Sequence, residues 1–193
     1  VDINFGCPVK KVLGRCRGGF LLTDPANAIE IVRAVVGAVG GRRPVMLKMR
    51  RAYDDTAESE RNFYAILDGA IEAGIAAVTI HGRTVEQRYV GPAKWPAIAA
   101  AKKHVGTFPV LGSGDLFSSA AVKRMVEETG VDGVTVARGA IGNPFIFREC
   151  RALLSNEPLP PPPTIAEQRR AIEEHLALAS EAYGSEKAGI ILR

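Results

Sequence analysis

The stretch AAVTIHGRT, residues 76–84, decides the fold, because an apolar strand runs directly into polar side chains. AAVTI is short, apolar and rich in β-branched residues, which is typical of a buried strand, and His81 and Arg83 follow at its carboxyl end. Similar patterns occur on either side along the chain. Strands are predicted at residues 1–4, 44–49, 76–80, 108–111 and 133–136, with helices at residues 25–39, 60–73, 95–103, 118–128 and 143–154.

Strands that hardly alternate in polarity and are separated by helices predict a parallel sheet covered on both faces. An open doubly wound sheet and a (β/α)8 TIM-type barrel both satisfy this pattern. Polar residues follow all the predicted strands, and a barrel gathers its strand ends around one mouth, whereas an open sheet binds its ligand at one switch point. We therefore predict an α/β chain containing about the last five βα units of a TIM-type barrel, with about three units expected before Val1.

The chain divides into three predicted regions. Residues 1–155 are interpreted as the partial catalytic barrel domain. Residues 156–164, NEPLPPPPT, cannot be helical and predict a stiff, extended linker. Helical periodicity resumes at residue 165, so residues 165–193 are interpreted as the start of an all-helical C-terminal domain.

Composition restricts the classes of protein that need to be considered. No apolar run approaches the ~20 residues that a membrane-spanning helix requires, so no membrane association is predicted. The three cysteines include no close pair, which is typical of a reduced, cytoplasmic setting. No cluster of histidine and cysteine has zinc-binding spacing, and no metal site is predicted.

A basic segment follows Cys7. The formal net charge of +4 is compatible with a polyanionic partner without requiring one. Lys10, Lys11, Arg15 and Arg17 lie in this segment. They form either an ordinary solvated loop or a surface that steers a phosphodiester backbone.

DINFGCP, residues 2–8, places a thiol at the end of the first strand. Gly6 permits an unusual backbone angle and Pro8 stiffens the turn, so Cys7 is expected to face the barrel mouth. A thiol there can act as a nucleophile, a metal ligand or a proton donor. A half-buried structural cysteine is the alternative interpretation.

Lys48 and Arg50 alternate with apolar neighbours, so both are expected on the inner face of the second strand. A buried cation requires an anion or an electron-rich ring, and an ion pair with a carboxylate on a neighbouring strand is the alternative. His81 and Arg83 are candidate ligand contacts at the third strand, although either can be an ordinary hydrogen-bonded loop residue.

Two small-residue turns, GSGD at residues 112–115 and ARGA at residues 137–140, follow the last two strands. Their backbone N–H groups can surround a phosphate, and phosphate-binding barrels hold phosphate after their last two strands. Tight turns that need glycine only for their geometry are the alternative.

These segments together resemble the tRNA-dihydrouridine synthases, most closely the bacterial B-type branch. The resemblance extends over essentially the whole chain, and HLALASEAYG, residues 175–184, is similar to the family's helical tRNA-binding domain. The matching strings are DINFGCPVKKV (residues 2–12), LKMR (47–50), TIHGRT (79–84), GSGD (112–115) and VARGAIGNPFIF (136–147).

The resemblance implies an FMN enzyme, recharged by NADPH or NADH, that reduces flipped-out uridines in tRNA. Hydride would go to carbon 6 of uracil, and Cys7 would protonate carbon 5 as the general acid. Lys48 would contact the flavin ring, and His81, counted among the cofactor contacts, would also help to hold the uracil. The FMN phosphate would be cradled by Ser113, Gly114, Asp115, Ala137 and Arg138, and the substrate contacts would be Asn4, Arg83, Lys10 and Lys11. The full-length protein is expected to be a monomer.

This chain departs from the family pattern in two respects. It has Ser113 where the family usually has asparagine, and the segments that complete the family's FMN pocket are expected before Val1, so the chain alone is expected to be a poor flavoprotein. Two other functions remain open. One is an FMN barrel oxidoreductase acting on free pyrimidines, as dihydroorotate or dihydropyrimidine dehydrogenases do, and the other is a non-catalytic tRNA-binding module.

Overall fold

The computed structural model describes residues 1–191, in which parallel strands alternate with helices. The strands are β1 (Asp2–Phe5), β2 (Met46–Arg50), β3 (Ala77–His81), β4 (Val110–Ser113) and β5 (Gly133–Val134). The helices are α1 (Lys10–Leu13), α2 (Pro25–Val39), α3 (Ala57–Glu72), α4 (Trp95–Val105), α5 (Ser119–Thr129), α6 (Ile146–Leu154), α7 (Ile165–Tyr183) and α8 (Ser185–Ile191). Short 3₁₀ turns cover Gly18–Thr23 and Arg138–Ala140.

The strand order in the sheet is β1-β2-β3-β4-β5, and each strand pairs in parallel with the next one along the chain. A doubly wound sheet reverses its strand order at a switch point, and this sheet has no such reversal. Consecutive parallel strands joined by helices form the wall of a (β/α)8 barrel. The predicted α/β fold class of a partial TIM-type barrel is therefore confirmed.

β1 and β2 alternate in polarity more strictly than predicted. In β2, Leu47 and Met49 are fully buried against the helices, whereas Lys48 and Arg50 lie on the opposite face. β3 repeats this arrangement and presents His81 on the same face as Arg50. The expectation that the strands hardly alternate was therefore wrong for β1 and β2, because their inner faces carry polar groups.

Helix boundaries follow the capping residues. α2 has the predicted bounds and α7 begins at the predicted residue, and the Asp24 carboxylate caps α2 by accepting a hydrogen bond from the Asn27 N–H. α3 begins at Ala57, earlier than predicted, because the Thr56 side chain accepts a hydrogen bond from the Ser59 N–H. The short helix α1 was not predicted.

Residues 156–164 contain neither helix nor strand, and Thr164 begins α7 with a reciprocal hydrogen-bond pair to Glu167. The last two residues of the predicted C-terminal domain, 192 and 193, lie outside the described part of the chain. None of the described helices combines the length and the apolar character that crossing a membrane demands.

Candidate active site

The carboxyl ends of the five strands surround a cavity of about 280 Å³, called here the strand-end cavity. Most of the predicted site residues line it together. Those residues are Asn4, Cys7, Lys48, His81, Ser113, Gly114, Asp115, Ala137 and Arg138. Arg83, Lys10 and Lys11 do not line it, and the two lysines are exposed on α1.

Strand register arranges the inner-face residues in two layers. Asn4 is paired with Lys48 across β1 and β2, which forms the deeper layer. Arg50 is paired with His81, and His81 is paired with Ser113, at the strand ends. Because paired residues in a parallel sheet point to the same face, the register alone brings these five side chains together.

The turn that carries Cys7 is held at both ends. The Asn4 side-chain oxygen accepts a hydrogen bond from the Gly6 N–H at 2.9 Å, so the Asn4 amide NH₂ remains as a donor. The Cys7 carbonyl accepts from the Gly19 N–H at 3.0 Å. At Gly18, where φ is +60°, a Cβ would come within 2.9 Å of the Cys7 Cβ. These contacts fix the half-buried thiol at the cavity wall.

Lys48 carries an amine without a carboxylate partner. Across the described residues, no carboxylate lies within ion-pair distance of its Nζ. Burial, followed by repulsion from Arg50, lowers the pKa of Lys48 below its ordinary value. The predicted alternative, an ion pair with a neighbouring strand, is therefore wrong, and the amine remains available to a ligand.

Arg50 forms no ion pair with a carboxylate among the described residues, so the ion-pair alternative does not hold for it. Its buried guanidinium donates to three backbone carbonyls, those of Gly6 at 2.9 Å, Thr84 at 2.7 Å and Arg88 at 2.7 Å. The Tyr89 ring lies 5.6 Å from the guanidinium carbon. Arg50 thus joins the turn after β1 to the loop after β3, and it supplies positive charge to the strand-end cavity.

His81 is a neutral imidazole in this site. Burial, followed by the positive charges of Arg50, Lys48 and Arg83, lowers the pKa of His81 to about 3. Its Nδ1 accepts a hydrogen bond from the Arg83 N–H at 3.1 Å, which places the ring proton on Nε2. His81 is therefore a hydrogen-bond donor at neutral pH and not an acid.

A pH titration of stability tests this assignment. In the unfolded chain His81 takes up a proton near pH 6.5, but in the folded protein it stays neutral to about pH 3, so folding stability falls as pH drops through this window. His81→Asn keeps an acceptor for the Arg83 N–H and removes the titration. We expect urea unfolding to show a shallower loss of stability between pH 6.5 and 4 in His81→Asn than in the wild type. His175→Asn, exposed on α7, is the control, and equal slopes in His81→Asn and the wild type would contradict the assignment.

Arg83 lies behind the cavity wall. Its guanidinium is buried, and Nη2 donates to both carboxylate oxygens of Asp115, at 2.6 and 2.8 Å, and to the Gly91 carbonyl at 2.6 Å. The geometry therefore does not support the expected contact between Arg83 and substrate. Arg83 also engages the Asp115 carboxylate inside the protein. The backbone N–H of Asp115 is therefore the group of this residue that can face a phosphate.

The two small-residue turns have free donors. No acceptor in the described part of the chain takes a hydrogen bond from the backbone N–H groups of Gly114, Asp115, Arg138 or Gly139, and all four residues line the cavity. Any side chain on Gly139 would collide with the Leu116 carbonyl, so the packing of the turn itself requires this glycine. Unused backbone N–H groups at a cavity are typical of phosphate sites.

Aromatic residues at the cavity rim were not predicted as site residues. The Arg138 guanidinium carbon lies 4.7 Å from the Tyr89 ring centre and 5.2 Å from the Phe117 ring centre. Both rings are more than half exposed. Exposed aromatic residues in the loops after β3 and β4 were the sequence signal for this rim.

No group of three potential metal ligands occurs among residues 1–191.

The fold and the cavity define the class of α/β-barrel proteins that bind a ligand at their strand ends. Within that class, the family model described as Dihydrouridine synthase (Dus) matches residues 1–193, and the chain belongs to this family. The resemblance drawn from the sequence motifs is therefore confirmed.

The names of curated relatives agree with this family assignment. The chain is 39% identical over 188 residues to a probable tRNA-dihydrouridine synthase of Mycobacterium tuberculosis, covering 97% of this chain and 48% of the relative. It is 41% identical over 194 residues to tRNA-dihydrouridine synthase B of Pseudomonas aeruginosa, covering 100% and 56%. Synthase B of Pseudomonas putida is 40% identical over 184 residues, covering 95% and 53%. The chain spans about half the length of the curated relatives that it matches.

Proposed function

We propose that this chain forms part of the catalytic pocket of a tRNA-dihydrouridine synthase, which reduces the 5,6 double bond of uracil in tRNA with the aid of FMN. The observation that carries the proposal is the amine of Lys48, half-buried and without a carboxylate partner, in the same cavity as the Cys7 thiol. The family and the names of its relatives support the same activity.

The residues present fit FMN. The Lys48 amine suits an electron-rich ring system, and the free N–H groups of Gly114, Asp115, Arg138 and Gly139 suit the phosphate. Ser113 and Ala137 belong to the same two turns, and Arg138 adds a guanidinium. When bound, FMN recharged by NADPH or NADH supplies the hydride that adds to carbon 6 of uracil.

Cys7 completes the addition as the general acid. Its S–H bond breaks, the proton forms the new C–H bond at carbon 5 of uracil, and the resulting thiolate is reprotonated from solvent. The fixed turn from Asn4 to Cys7 holds the thiol in place for this transfer. The product gains one hydrogen at each carbon of the former double bond.

Two neutral donors suit the uracil carbonyls. The Asn4 side-chain oxygen is engaged by the Gly6 N–H, and its amide NH₂ donates to no acceptor among the described residues. The His81 Nε2–H is directed by the acceptor role of Nδ1. Neither group carries a charge at neutral pH, so both can hold an uncharged base without adding to the repulsion between the neighbouring cations.

The polyanionic substrate would meet the basic residues beside the cavity. Lys10 and Lys11 are exposed on α1, close after Cys7 in the chain, where they suit a tRNA phosphodiester backbone. The target base has to leave its stack to reach the cavity. We assign residues 1–155 to the barrel domain, residues 156–164 to the linker and the helices from Ile165 onward to an RNA-binding domain.

A turnover assay separates this function from its two rivals. The protein that carries this chain is incubated with NADPH and either unmodified tRNA or free uracil and orotate. We expect dihydrouridine in the tRNA and no turnover of the free bases. Turnover of free pyrimidines alone would favour the free-base oxidoreductase, and tRNA binding without flavin absorbance would favour a non-catalytic module.

A further inference from the structure

We propose that Asp115 is a positioning residue whose carboxylate ties together the loops after β3, β4 and β5 and thereby shapes the backbone that receives the phosphate of the bound ligand. The inference rests on the proposed function, because it concerns the phosphate end of the same cavity. It assigns to the carboxylate a role distinct from ligand contact.

The carboxylate of Asp115 meets all three loops. Its two oxygens accept from Arg83 Nη2, at 2.6 and 2.8 Å, and Oδ2 also accepts from the Ala93 N–H at 2.7 Å. Arg83 and Ala93 both belong to the loop between β3 and α4. Arg138, after β5, brings its Nη2 to 3.5 Å from Oδ1. Charged hydrogen bonds of this kind are among the stronger ones in proteins.

The charge of Asp115 argues against direct contact with phosphate. Partial burial alone would raise its pKa, but the hydrogen bonds from Ala93 and Arg83 hold the pKa below its ordinary value. The carboxylate is therefore ionised at neutral pH, and it accepts hydrogen bonds without donating any. A phosphate would be repelled by the carboxylate, whereas the N–H of the same residue can bind it.

The backbone conformation at Asp115 links the position of its carboxylate to the direction of its backbone N–H. Its φ is +58° and that of Gly114 is +121°, so the turn needs side-chain contacts to hold an uncommon path. Trp95 Nε1, on α4, donates to the Gly114 carbonyl at 3.0 Å. The peptide between these residues is trans, so the Asp115 N–H points opposite to that carbonyl and away from Trp95. Trp95 does not line the cavity, whereas Asp115 does.

The substitution Asp115→Asn separates a positioning role from a simple electrostatic effect, because the two predict opposite changes in FMN affinity. Asparagine tolerates a positive φ as well as aspartate does, so the backbone is not strained further. Removing a negative charge beside a phosphate should by itself tighten FMN binding. Asparagine keeps one acceptor oxygen but has an NH₂ donor in place of the other, so contact to Arg83 or to Ala93 is lost. This loss should instead loosen the turn and weaken FMN binding by about tenfold or more.

The measurement compares FMN with riboflavin, which lacks the phosphate, by titrating the apoprotein that carries this chain. We expect Asp115→Asn to lose affinity for FMN while its affinity for riboflavin changes by less than about threefold. Trp95→Phe keeps the ring and removes the donor to Gly114, and it should give the same selective loss. Asp132→Asn is the matched control, because Asp132 accepts from Lys102 and the Val110 N–H at the opposite end of β4.

The outcomes are distinct. Tighter FMN binding in Asp115→Asn, or an equal loss for both flavins in both variants, would overturn the positioning role. If the wild type prefers FMN to riboflavin and both variants keep that preference, this inference is overturned and the proposed function is not. A wild type that binds no flavin would overturn the proposed function together with it.

Discussion

Replacing Cys7 with alanine is expected to reduce dihydrouridine formation by ~10²–10⁴-fold, the usual effect of removing a positioned general acid, while FMN remains bound. The reason is geometric. The thiol sits on a turn held by the Gly19 N–H and closed by Asn4, and it faces the cavity beside Lys48. The N–H groups assigned to the phosphate belong to other loops, so the substitution does not touch them.

Cys16→Ala is the matched control for this experiment. Cys16 follows Cys7 in the same connection but is exposed and does not line the cavity. Its loss should leave activity unchanged. Dihydrouridine formation near the wild-type rate in Cys7→Ala, with normal flavin content in both variants, would remove Cys7 from the mechanism.

Replacing Lys48 with alanine is expected to weaken flavin binding or flavin reduction by about tenfold or more, because a charged hydrogen-bond donor in a partly desolvated site is lost. No carboxylate of the described residues forms an ion pair with the Lys48 amine, so a bound ligand does not have to displace one. Lys48→Arg should restore only part of the loss, since a planar guanidinium does not replace a compact ammonium and would crowd Arg50.

Flavin content after purification and the rate of bleaching by NADPH measure this effect. Lys94→Ala is the control, because Lys94 forms an exposed ion pair with Asp55 outside the cavity. Unchanged flavin content and unchanged bleaching in both Lys48 variants would contradict the assignment of Lys48 to the cofactor.

The sequence predicted most of the barrel wall, because its signals are local. Asp24 and Pro25 begin α2 by capping, and Thr164 begins α7 in the same way, so the starts of both helices were predictable. Strand ends were less accurate. β3 extends to His81 because that residue pairs with Ser113, a contact between distant segments.

The candidate site was predictable where strand periodicity alone places a side chain. Lys48 reaches the cavity for that reason, and Asn4 does so through its register with Lys48. The partners of Arg50 were not predictable, because the carbonyls of Thr84 and Arg88 depend on the path of a loop. The same holds for the pairing of Arg83 with Asp115, which lies 32 residues away.

Rim residues show a further limit of sequence patterns. Tyr89 and Phe117 lie in loops of no regular period, and only their packing on Arg138 brings them together. Lys10 and Lys11 illustrate the converse, since their closeness to Cys7 in sequence does not bring them into the cavity.

A single-turnover experiment tests the central claim most directly. The flavin of the protein that carries this chain is reduced with NADPH without oxygen, excess NADPH is removed, and unmodified tRNA is added while flavin absorbance is followed. We predict that the oxidised flavin spectrum returns at the rate at which dihydrouridine appears in the tRNA. A flavin that stays reduced with tRNA but is reoxidised by a free pyrimidine would contradict the account.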